Sequence, residues 1–225
     1  GRTVMTNRNW LLENANVPIR YNLTHDESLV DKLLSNDEIS AWMQKLTDRV
    51  TAKDLSNIHG SHDYRYENIM KKCFILGLNR DIPQFDRLAH FFIDFLDGHI
   101  TKTHGDVLTF GKMYAYRDYE TILTCYLPFM GYWNEPSVQY VVRKRLYILY
   151  NFTKEKRYDV CRHVIDFVGV TKEWRSHIID PDLYSDGNIA LPSIHDYILL
   201  AGAYQYLDKE EKDKAETVAA WLFDD

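Results

Sequence analysis

"YENIMKKCFILGLNRDIP" (residues 66–83) and "YETILTCYLPFMGYWNEP" (119–136) both open on Tyr-Glu, run through a sparsely charged middle and close on proline. Tyr66 and Tyr119 lie 53 residues apart, and so do Pro83 and Pro136. A pattern restated at such an interval marks a repeat architecture, in which one supersecondary unit stacks on the next. Ile69, Met70, Cys73, Phe74, Ile75, Leu76 and Leu78 in the first copy leave little room for a wet face, and Ile122, Leu123, Cys125, Tyr126, Leu127, Phe129 and Met130 are their counterparts in the second. A helix that is apolar on all sides is buried on all sides, so both copies are expected to be inner helices.

The residues after each copy have a different period. In "PQFDRLAHFFIDFLDG" (83–98), Phe85, Leu88, Ala89, Phe92 and Leu96 recur at helical spacing, with Gln84, Asp86, Arg87, Asp94 and Asp97 mostly opposite. That is an amphipathic outer helix. Pro83 and Pro136 fall where a first helical turn tolerates proline. The grammar returns in "SIHDYILLAGAYQYL" (193–207). After Asp208 as N-cap comes "KEEKDKAETVAAWLF" (209–223), with Ala215, Val218, Ala219 and Leu222 on one side. "NWLLENA" (9–15) breaks at "NVP", and "PIRYNLTH" (18–25) starts anew. Further helices are expected at 27–34, 36–49 and 155–168, while "YVVRKRLYILY" (140–150) reads as helix from its length. Residues 99–117 and 170–192 read as long connections. The expectation is an all-α chain, one domain over 1–225. Its hairpins, about five, would repeat into a closed or partly closed α/α toroid. The halt at "WLFDD", directly after an outer helix, suggests a further hairpin beyond it.

Hydrophobic residues at 45% and charged residues at 27% describe a soluble globular chain rather than a disordered one. The net charge of −6 and the lack of a long basic run set nucleic acid aside. "VRKRLY" (142–147), the densest cationic patch, reads as the solvated face of a helix. No run approaches the ~18 apolar residues of a membrane span. The first residues lack a signal peptide's apolar core, and Cys73, Cys125 and Cys161 form no C-x-x-C, so reduced thiols and a cytoplasmic location are expected. "NLT" (22–24) and "NFT" (151–153) match the glycosylation pattern and are read as chance.

No G-x-S-x-G elbow, P-loop or G-x-G-x-x-G occurs, so neither a serine nucleophile nor a nucleotide is supported and the cofactor is unknown. If the inner helices run the same way around a ring, their N-terminal ends share a rim. Tyr64, Tyr66 and Glu67 lie at that level, as do Tyr116, Asp118, Tyr119 and Glu120, and then His195, Asp196 and Tyr197. The acids either complement helix dipoles or line a common site. In a common site, His195, Asp196, Glu67 and Glu120 would carry acid–base work, and the tyrosines would shape the pocket. "IHGSHDYRYE" (58–67) adds His59 and His62 as ligand-binding candidates, without a spacing that defines a metal site. The stretch 99–120, with His99, His104 and Asp106, is a candidate lid.

"LGLNRDIPQFDRLAHFFIDFL" (76–96) and "SDGNIALPSIHDYILLAGAYQYLDKEEKDKAETVAAWLF" (185–223) resemble the hairpins of the terpenoid cyclase/protein prenyltransferase superfamily. "NWLLENANVPIRYNL" (9–23) resembles the opening of bacterial prenyltransferase-like and squalene-cyclase-like proteins. The resemblance implies an α/α toroid whose central cavity takes an apolar, isoprenoid-like small molecule. The family's Asp-x-Asp-Asp acid and zinc triad have no counterpart here, and its Gln-Trp signature survives only as Asp186-Gly187, so the reaction is left undetermined. A non-catalytic helical-repeat module for a protein or peptide partner is a second reading. A carbohydrate-active α/α barrel is a third.

Overall fold

The computed structural model describes residues 7–102, 119–158, 160, 183–185 and 188–224. The chain divides into two compact units, Gly1–Phe92 and Ile93–Asp225.

In the first unit, α1 (Asn7–Asn14) and α2 (Val17–Thr24) meet at Asn16, whose side chain accepts the Ile19 N–H and caps α2. A 3₁₀ turn at Glu27–Leu29 leads into the short α3 (Val30–Leu34), which packs on α2 and on α4 (Asp37–Thr51). Asn36 caps α4 through the Glu38 and Ile39 N–H groups; losing such a cap costs about 1 kcal/mol. Asp37 and Glu38 in the first turn and Arg49 in the last complement the helix dipole. α5 (Tyr66–Ile75) packs on α4, and α6 (Pro83–Lys102) begins at the expected proline.

The second unit holds α7 (Tyr119–Thr124), a 3₁₀ turn at Pro128–Met130 and α8 (Pro136–Thr153), the last again proline-led. A two-residue antiparallel ladder pairs β1 (Tyr184–Ser185) with β2 (Asn188–Ile189). α9 (Ile194–Ala203) runs into a 3₁₀ turn at Tyr204–Tyr206, and α10 (Lys209–Ala220) follows. Asp208 caps α10 in a reciprocal box with Glu211, as the sequence predicts. Apart from that ladder the regular elements among the described residues are helices, with α7, α8, α9 and α10 packed on one another around α8 and α9.

The two quoted stretches share their ending as well as their opening. In the first, Gly77 takes a left-handed φ of 86° and the Leu78 N–H reaches back to the Cys73 carbonyl (3.0 Å). In the second, Gly131 takes 91° and Tyr132 reaches Leu127 (3.1 Å). Both are the 6→1 closure that ends helices on glycine. An i→i+3 turn then leads into each proline, Asn79 to Ile82 and Tyr132 to Glu135. The glycine comes one residue later in the second copy, so the inner element gains a residue that the turn gives back.

Four expectations are corrected. α7 stops after six residues because Pro128 lacks the N–H that would continue the ladder, and the chain tightens into 3₁₀ instead. α5 is not buried all round: Lys71 and Ile75 face solvent, Ile75 at 58% exposure. In the second copy, by contrast, every residue from 121 to 128 is buried. On α10 the apolar side is narrower than its pattern, since Ala215 and Val218 are buried while Ala219 and Leu222 are exposed. The connection expected from 99 is helical as far as Lys102. The helix expected at 155–168 and the candidate lid fall mostly outside the described residues.

Candidate functional site

Glu67, in the first turn of α5, is held from the loop before it. Its Oε2 accepts the Gly60 N–H (2.9 Å) and lies 2.7 Å from His59 Nδ1. The loop in turn serves the helix: the Tyr66 and Glu67 N–H groups, which have no intrahelical acceptor, donate to the Asn57 and Ile58 carbonyls (3.4 and 2.9 Å). Beneath it, the buried Arg49 of α4 donates to the Tyr64 carbonyl (2.6 Å) and the Ser56 carbonyl, with Asp54 at 3.6 Å. Hydrogen bonds from Ser56 pull the Asp54 carboxyl below the usual range. The exposed rings of His62 and Tyr64 stack with centroids 5.7 Å apart. Tyr66 turns inward, almost wholly buried against Phe92 (4.6 Å).

In the second unit the candidate acids converge on α8. Lys144 donates to Glu120 of α7 at 2.6 Å. Arg145 grips Asp196 of α9 with two parallel bonds of 2.7 and 3.0 Å, the two side chains only 2% and 0% exposed. Asp196 also accepts the Ser193 N–H (2.9 Å), closing the capping box of α9. Arg143, the third residue of the run, bonds to Glu211 of α10 (3.0 Å) and lies over the Trp133 ring. Because successive helical residues are turned about 100°, three adjacent cations reach three different helices. The solvated-face reading of "VRKRLY" is therefore overturned, since Arg145 is buried and Lys144 mostly so.

Comparisons with protein-family models, curated proteins and solved structures found no match.

The remaining candidates of this unit are placed as follows. Tyr119 is half-buried, edge-on to Phe95 at 6.0 Å. His195 is buried. The Tyr197 hydroxyl donates to the Val218 carbonyl (3.3 Å), and burial, with the Asp196 charge in second place, pushes it up to about 12. Tyr116, Asp118, His104, Asp106 and the side chain of His99 lie outside the described residues. Each unit thus assembles its own arrangement, a histidine–carboxylate contact in the first and a fan of ion pairs in the second.

Sequence reasoning missed Arg49 and Arg145, although a signal was present. Arg145 stands on the apolar stripe of Val138, Val141, Val142, Leu149 and Phe152, and Arg49 continues the stripe of Ile39 and Leu46. A cation on the buried stripe of a helix must find a partner inside, because a lone charge there is too costly to keep. Among the described residues no helix is long and apolar enough to cross a membrane.

Proposed function

We propose that this chain is a non-catalytic helical-hairpin module that binds a protein or peptide partner. The observation that supports this reading is the commitment of Glu120 and Asp196 to Lys144 and Arg145, in contacts that tie α7 and α9 to α8. A carboxylate that accepts both arms of a guanidinium and also caps a helix has its acceptor sites filled, which suits holding helices together better than meeting a substrate. The outward side of α8 carries Tyr140 and Tyr147, the latter 67% exposed, and tyrosine supplies contact area at low entropic cost in recognition surfaces.

The test sets this reading against the α/α toroid with an isoprenoid-accepting cavity and against the carbohydrate-active barrel. Thermal unfolding of the full chain would be followed with prenyl diphosphates, oligosaccharides and divalent metals. The expected result is no saturable shift, together with a partner from source-cell extract that the wild type retains and a Tyr140→Ala/Tyr147→Ala variant of equal Tm releases. A saturable shift with one of the small molecules, lost in Glu120→Gln, would overturn the proposal.

A further inference from the structure

We draw no further inference here: the strongest candidate, the exposed aromatic patch that Phe129, Tyr204 and Tyr206 form where the second unit's hairpins turn, carries nothing because nothing in the structure shows what covers it.

Discussion

Each unit buries an arginine, and the two are neutralised in opposite ways. Arg145 meets a carboxylate on another helix, 51 residues along the chain, and both charges leave water together. Arg49 meets backbone carbonyls of the loop that follows its own helix, 7 and 15 residues on, with Asp54 more distant and partly solvated. The first arrangement fastens helix to helix, and its strength depends on both partners being present. The second shapes a loop: one guanidinium collects both limbs of the segment before α5, which then supplies the missing acceptors of the helix. A buried cation can therefore serve tertiary packing or local chain path, depending on whether a charge or a set of carbonyls answers it.

The sharpest way to break this comparison is to remove the carboxylate. Asp196→Ala takes away the carboxylate that grips the buried Arg145 and removes the Ser193 N–H acceptor from the capping box of α9, so a loss of about 3–5 kcal/mol is expected in urea unfolding. Replacing both partners, as in Arg145→Met/Asp196→Leu, should recover most of that loss, because a packed apolar pair avoids the desolvation cost of two ions. A single-variant loss below about 1 kcal/mol would mean that the pair is solvated and resembles an ordinary surface bridge.

Arg49→Met should cost less, about 1.5–3 kcal/mol, since it removes charge-assisted bonds to carbonyls that can in part turn to water. The signature is local. Limited proteolysis should cut within 54–64 much faster than in the wild type, while far-UV circular dichroism changes little. Global unfolding without early loop cleavage would show that Arg49, like Arg145, holds the packing of a unit rather than the path of a loop.

How much of this was legible in sequence follows from the range of each interaction. The proline starts, the Asp208 cap and most of the helices among the described residues rest on local chemistry within a turn or two, and the structure carries these where the pattern puts them. Pro128 was equally visible, yet an apolar run masked its effect on α7. The wet side of α5 was not legible, because Lys71 and Lys72 look like interruptions in a buried helix until the neighbouring helix is known to cover only one side. Glu67, Glu120 and Asp196 were identifiable as acids at helix starts. Their partners sit 8, 24 and 51 residues away, distances over which pattern carries no information about contact. The direction in which "VRKRLY" fans out needs three helices placed around α8, and no periodicity along α8 alone encodes them.

Alkaline titration sharpens the contrast between the units through one acid group in each. Burial pushes the Cys73 thiol of α5 up to about 12 from 9.0. Tyr197 rises to about 12 from 10.0 by burial first and the Asp196 charge second. Both groups keep a proton in the folded chain that the unfolded chain releases earlier. Their contribution is complete below pH 9 for Cys73 and below pH 10 for Tyr197, and it is lost as the pH climbs toward 12. Cys73→Ala should flatten the fall of stability beginning near pH 9, and Tyr197→Phe the fall beginning near pH 10. Equal slopes in wild type and both variants would show that neither group is desolvated as its burial requires.

The smallest effect is expected at Glu120, and it bears most directly on function. Its bond to Lys144 is short, but with side chains 16% and 21% exposed the pair is neither a surface bridge nor a fully dry one. Glu120→Gln keeps the size and one hydrogen-bond acceptor while removing the charge, so a loss of up to about 1 kcal/mol is expected, shrinking as salt rises. A structural tie between α7 and α8 predicts that Lys144→Gln costs about as much and that the double variant costs little more than either single one, because both remove the same attraction. An acid kept for chemistry predicts otherwise. Glu120→Gln would then leave stability unchanged or raise it, Lys144→Gln alone would destabilise, and the two effects would add with no coupling. The double-mutant cycle therefore distinguishes a fastening from a reserved reactive group without knowledge of any ligand.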